Sequence, residues 1–161
     1  MKLLFVCNNL HIGGIQKALV NLLKEIADAY DVTLFLFCPC GDLMESVPQN
    51  VRIITGNRLT RIMGMSQIEA KRMGTACSLW RAVWTVLTRI FGIRFSFGVL
   101  TRLQKIHESY DIAISFSQNS GFKMFYGGCN EFVINSVNAK KKITFVHCDF
   151  RHYFGNNRYN R

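Results

Sequence analysis

The amino-acid sequence predicts an α/β domain with a Rossmann-like, doubly wound, mainly parallel sheet. Three observations predict it. Short apolar runs of strand length recur along the chain, and an unbroken apolar run is how a parallel strand covered on both faces reads. A segment of helical period separates the first two runs. The runs end in polar or glycine-bearing loops, which such sheets turn toward a ligand crevice.

The first thirty residues contain the whole opening unit. Leu3, Leu4, Phe5 and Val6 form the first strand, and Cys7 to Gly14 form a polar loop ending in two glycines. Ile15, Ala18, Leu19, Leu22, Leu23, Ile26 and Tyr30 then recur at helical steps, one face of an amphipathic helix. Gly13 and Gly14 have two readings: a tight turn into the helix, or a backbone cradle where an anion meets the helix start. The loop follows neither G-x-G-x-x-G nor the G-K-[ST] ending of a P-loop, which disfavours NAD or ATP.

Asp31 leads into a second strand, Val32–Phe37, and a loop from Cys38 to Pro48 carries the turn residues Pro39, Gly41 and Asp42. Val51–Thr55 reads as a third strand closed by Gly56-Asn57. Arg58 to Lys105 interrupts the rhythm, with nine basic residues interleaved with apolar ones against the single acid Glu69. Leu79 to Ile93 is too short and too charged to span a bilayer. It suits an interfacial helix, with Arg81, Trp84, Arg89 and Arg94 as the membrane-binding residues. The other reading is an ordinary helix packed on the sheet.

A helix is expected over Leu100–Ser109 and a fourth strand over Ile112–Phe116, with Ser117, Gln118, Asn119, Ser120 and Gly121 as its exit loop. Phe122 to Ala139 should hold a helix broken near Gly127-Gly128. Lys140, Lys141 and Lys142 precede the last strand, Ile143–Val146, which exits at His147-Cys148-Asp149.

Composition narrows the function. The chain has 161 residues, 49% hydrophobic, with a net charge of +10. One domain with a real core fits that length, and the charge favours a partner bearing phosphates or an anionic membrane. Nucleic acid is disfavoured, since no helix-turn-helix, zinc finger or RNA-binding aromatic motif occurs. Six scattered cysteines without C-x-x-C spacing point to a reducing cytoplasm. Cys38-Pro39-Cys40 is a poor metal pair, and no metal or cofactor is expected. Met1-Lys2 runs straight into a strand, so no signal peptide is expected. No acid/base pair or nucleophile triad stands out.

Three residue groups carry a family resemblance. Gly13-Gly14-Ile15-Gln16-Lys17-Ala18-Leu19 resembles the GG-x-x-x-x-L helix start of family 4 glycosyltransferases. Tyr110-Asp111-Ile112-Ala113-Ile114-Ser115 is similar to their YDVAIS strand, and Lys140 to Asp149 to their KKIAWIHxD strand and exit loop. The groups occur in family order across nearly the whole chain.

That resemblance implies the GT-B architecture, two Rossmann-like domains facing across a cleft. Residues 1–161 would be one such domain, the N-terminal acceptor-side one, incomplete at its C-terminal end. None of Glu25, Glu45, Glu69, Glu108 and Glu131 begins the family's donor-site E-x7-E motif, so the donor half is expected elsewhere, on a separate chain if not lost. The partners implied are a nucleotide-sugar, a lipid-linked or glycan acceptor, and an anionic inner membrane face to which the protein is peripheral. Gly13 and Gly14 match the loop that approaches the donor diphosphate and acceptor. His147 matches a histidine near the reacting hydroxyl, with Asp149 beside it to orient the ring or hold the acceptor. Ser117, Gln118 and Asn119 are candidates for sugar hydroxyls, and His11 faces either the cleft or solvent. Two alternatives stand beside transfer: a non-catalytic, membrane-associated accessory subunit, and a generic nucleotide-binding module.

Overall fold

The computed structural model of the protein describes residues 1–119 and 123–147. Among these residues five strands and five α-helices follow one another as β1 (Lys2–Cys7), α1 (Gly14–Ile26), β2 (Asp31–Leu36), β3 (Arg52–Thr55), α2 (Gln67–Arg72), α3 (Thr75–Phe91), α4 (Ile93–Arg102), β4 (Ile106–Ser115), α5 (Cys129–Ser136) and β5 (Val137–Thr144). The strands form one sheet in the order β3-β2-β1-β4-β5, every pair parallel. The chain winds outward from β1 to β3, crosses back, and lays β4 on the other side of β1. This is the expected doubly wound, Rossmann-like arrangement, with its switch point between β1 and β4.

Side-chain alternation along β1 splits the core in two. Leu3, Phe5 and Cys7 face α1, whose Leu19, Val20 and Leu23 are buried against them. Leu4 and Val6 face the opposite layer, built from α3, α4 and α5 through Trp84, Phe97, Leu100 and Phe132. Phe132 stacks on Phe35 of β2 at 4.2 Å between ring centroids. Each large side chain so buried contributes about 1.5–3 kcal/mol, and both faces of β1 draw on it.

The structure corrects several expected boundaries. The apolar face of α1 ends at Ile26, and Tyr30 lies beyond it, exposed. Within the basic segment the stretch from Thr75 to Arg102 is two helices, because Gly92 with φ +82° ends α3 and starts α4. The helix expected over Leu100–Ser109 stops at Arg102. Ile106 to Ser109 instead begins β4, whose ladder to β5 starts at Ile106 opposite Val137 and is irregular up to Ser109. The exposure of residues 106–109 alternates, and pairing in a ladder overrides local helix propensity.

The helix expected within 122–139 is shortened to Cys129–Ser136, because the last strand begins at Val137. Lys140, Lys141 and Lys142 therefore lie inside β5, not before it. They are tolerated because β5 is an edge strand whose residues from Lys140 onward are exposed, and lysine on an edge also discourages unwanted pairing. The five cysteines among the described residues are all free thiols.

Candidate functional site at the carboxyl edge of the sheet

All strands being parallel, their exit loops converge on one edge. The first two are locked together. Leu10 N donates to Cys40 O at 2.8 Å, and Leu43 N to Leu10 O at 3.1 Å. Gly41, with φ +118°, permits this approach, since a Cβ there would stand 2.1 Å from the Leu10 carbonyl carbon.

Two asparagines that sequence reasoning passed over hold the edge from beneath. Buried Asn8 donates through Nδ2 to Ser117 Oγ at 3.1 Å and accepts from Cys129 Sγ at Oδ1. Buried Asn9 donates through Nδ2 to Gly64 O at 2.6 Å and to Tyr126 Oη at 3.0 Å. The available signal was two amides directly after an apolar strand, where buried polar groups must be paired.

Ser117 and Asn119 belong to the same internal framework. Asn119 Oδ1 accepts from Gly128 N at 2.6 Å, and its Nδ2 donates to the Glu131 carboxylate at 2.9 and 3.1 Å. Both residues are buried, so their polar atoms are committed to holding the exit loop of β4. Gln118 between them is half-buried.

Gly13 and Gly14 differ from this. Gly13 caps α1 with extended backbone, φ −167°, which any residue adopts, and neither glycine has positive φ. Among the described residues, a Cβ on Gly14 would meet nothing within 4 Å, and one on Gly13 would meet only the movable Gln16 side chain. The turn into α1 therefore uses no glycine-only conformation at either position. Among the described residues the α1 N-terminus has no side-chain cap and no acid in its first turn, and the positive end of a helix dipole favours an anion.

His147 reaches the same edge from β5. Its Nε2 donates to Phe116 O at 2.9 Å, and its ring packs on Phe116 at 4.7 Å. A carbonyl only accepts, so the neutral ring carries its proton on Nε2 and presents Nδ1 as an acceptor. Strands lie about 4.8 Å apart, so two strand positions put His147 about 10 Å along the edge from the β1 loop. Asp149 lies outside the described residues.

A third group gathers where the loops of β1 and β2 meet α2. His11 Nε2 lies 2.6 Å from Glu69 Oε1, and Cys40 Sγ lies 3.6 Å from His11 Nε2 and 3.7 Å from Glu69 Oε1. Glu69 is also the third residue of a capping box, its Oε2 accepting from Ser66 N at 2.6 Å. Burial pushes the Glu69 carboxyl up, but the Ser66 and His11 contacts outweigh it and hold the pKa at about 2. Cys40 Sγ donates to Cys38 Sγ at 3.1 Å. That bond favours the Cys38 thiolate and pushes the Cys40 thiol up. His11 and Glu69 are 58 positions apart, so no spacing motif announced the group.

The four residues assigned to a membrane face divide evenly. Arg81 is buried, its guanidinium donating to Ile62 O at 2.9 Å and Phe125 O at 3.0 Å and lying over the Phe125 ring. Trp84 is buried in the same core cluster as Ile93 and Phe97, its ring 5.6 Å from that of Trp80. Both belong to the packed interior, because their faces of α3 turn toward the sheet. Arg89 and Arg94 are exposed, among the exposed apolar residues Val86, Ile90, Phe91 and Phe95. Among the described residues no helix is long and apolar enough to cross a membrane.

No family model matches the chain, and neither a curated protein nor a solved structure matches it.

Proposed function

We propose that this chain is the acceptor-side half of a GT-B glycosyltransferase resembling family 4, working with a nucleotide-sugar and a lipid-linked or polysaccharide acceptor. The observation that carries the reading is Gly13-Gly14, glycines that neither their backbone nor packing among the described residues requires. A group arriving from outside gives them a purpose. A diphosphate suits the start of α1, where first-turn amides and the helix dipole favour an anion. The donor-binding half would stand opposite, beyond these 161 residues.

In this reading His147 works through Nδ1. As an acceptor it takes a hydrogen bond from a sugar or acceptor hydroxyl, and once protonated it returns one. The exposed arginines and apolar residues of α3 and α4 would rest on anionic lipid, which keeps a lipid-linked acceptor within reach.

The test combines the chain with a donor-binding domain, encoded beside it or supplied in trans, and assays UDP- and GDP-sugars with membranes. The 161-residue chain alone should transfer nothing. With the partner, His147→Ala and Gly14→Val should each remove most turnover while the melting temperature barely moves. Transfer by the purified chain alone would sink the proposal. A second reading, a non-catalytic subunit, draws on the His147 bond to Phe116 O. It predicts that His147→Ala lowers the melting temperature and leaves transfer intact.

A further inference from the structure

The polar group at His11, Cys40 and Glu69 has a geometry of its own. Its three donor atoms come from separate segments: the loop of β1, the loop of β2 and the first turn of α2. They are a nitrogen, a sulfur and a carboxylate oxygen, clustered together. Around a tetrahedral zinc, sulfur–nitrogen and sulfur–oxygen edges are about 3.6 Å and a nitrogen–oxygen edge about 3.3 Å. The two edges from Cys40 Sγ already measure 3.6 and 3.7 Å. Only the His11–Glu69 edge, 2.6 Å, must open, by about 0.7 Å, as happens when a metal replaces the shared proton.

We propose that His11 Nε2, Cys40 Sγ and Glu69 Oε1 form a binding site for a borderline-soft divalent cation of the zinc class, with its fourth position open. Binding displaces the Cys40 thiol proton, and any proton shared by His11 and Glu69, to solvent, leaving thiolate, imidazole and carboxylate as ligands. Glu69 is pre-oriented, because its other oxygen is held by the Ser66 N–H, the kind of outer contact that fixes a ligating carboxylate. The Cys38–Cys40 arrangement is also built in: Cys40 N bonds Cys38 O at 2.9 Å around Pro39, a γ-turn that aims both thiols the same way. The half-exposed His11 ring gives an ion entry from solvent. Mixed N/S/O donors select zinc over magnesium, which demands octahedral oxygen. The site does not rest on the sugar-transfer reading.

The experiment uses the full chain, stripped with a chelator and kept reduced with a phosphine, titrated with cobalt(II) and zinc(II). One equivalent of cobalt should bind and give a thiolate-to-metal charge-transfer band with the intense visible bands of tetrahedral coordination. Zinc should displace it, and excess magnesium should not. Losing an outer-shell contact costs about 10–100-fold in affinity, so losing a ligand in His11→Gln or Cys40→Ser should cost at least about 100-fold. Glu69→Gln keeps an oxygen for the capping box and so separates metal loss from helix loss; circular dichroism should stay unchanged while affinity falls. Cobalt binding that survives Cys40→Ser and His11→Gln, or no stoichiometric binding to the reduced, folded chain, overturns the proposal.

Discussion

Asn8 and Ser117, 109 positions apart, meet beneath the carboxyl edge, Asn8 Nδ2 donating to Ser117 Oγ at 3.1 Å. The same amide accepts from Cys129 Sγ, so one side chain joins β1, β4 and the start of α5. Asn8→Ala should therefore leave buried polar groups unmatched and cost about 1–3 kcal/mol. In a chain of this size each kcal/mol lowers the melting temperature by about 2–4 °C, which a thermal melt resolves. A melting temperature unchanged in Asn8→Ala would show that the junction is held by packing alone.

The glycines should divide into two classes on substitution. Gly14→Ala meets open space in a helical backbone, and the folded chain should keep or slightly gain stability. Gly41→Ala forces a Cβ into the Leu10 carbonyl from a positive-φ position, where strain alone costs about 1–3 kcal/mol. Chemical denaturation of the two variants measures the contrast. Equal losses would mean that Gly14 serves the fold after all.

Arginines on α3 and α4 should also behave differently from one another. Arg89→Gln with Arg94→Gln removes two exposed charges, each worth about 1 kcal/mol near anionic lipid. Partition onto phosphatidylglycerol vesicles should fall by about thirtyfold with stability unchanged. Arg81→Gln instead strips donors from the Ile62 and Phe125 carbonyls and should destabilise the protein by roughly 2–3 kcal/mol. Sedimentation that ignores the double variant returns the outer face to ordinary surface.

Acid should weaken the amino end of the sheet through Glu108. Its carboxylate contacts Arg52, Lys2 and Tyr110, and Arg52 first, then Lys2 and Tyr110, hold its pKa at about 2. An unfolded glutamate titrates near 4.3. The folded value is the lower one, so the stabilisation is complete above about pH 5 and is lost as pH falls from there toward about 2. Melting of wild type and Glu108→Gln across that range should differ at neutral pH and converge in acid. A difference that stays constant would place the contribution in packing.

What the sequence made legible was whatever has a period. The apolar runs at Leu3–Val6 and Val32–Phe37 and the stripe through Leu19 and Leu23 announce β1, β2 and α1, because burial on both faces leaves a pattern in neighbouring residues. β5 was misplaced because an edge strand does not need apolar residues, and Lys140 to Lys142 read as a break. Gly92 was passed over because one glycine in an amphipathic run ends a helix only when its φ turns positive, and that depends on the packing of α4. At the candidate site, the two glycines stood out from local context, and His147 only through the family resemblance. The group of His11, Cys40 and Glu69 was not legible, since only the folded sheet brings those segments together. Arg81 misled for a related reason: a guanidinium lies in the interior once two carbonyls from distant loops receive it.

The position of β1 at the centre of the sheet also sets a timetable. Its ladder to β2 joins near neighbours in sequence, but Leu3 finds Ile112 of β4 only after both long helices have been made. At ribosomal speeds of about 5–20 residues per second, the intervening hundred or so residues take about 5–20 s. For that interval one flank of the most apolar strand in the protein is an open backbone edge next to Phe5 and Val6. Such an edge pairs readily with another nascent chain, so newly made protein is at its most aggregation-prone before Ile112 to Ser115 emerge, and a factor that shields β1 until then should raise the yield of folded chain more than any change to its final stability.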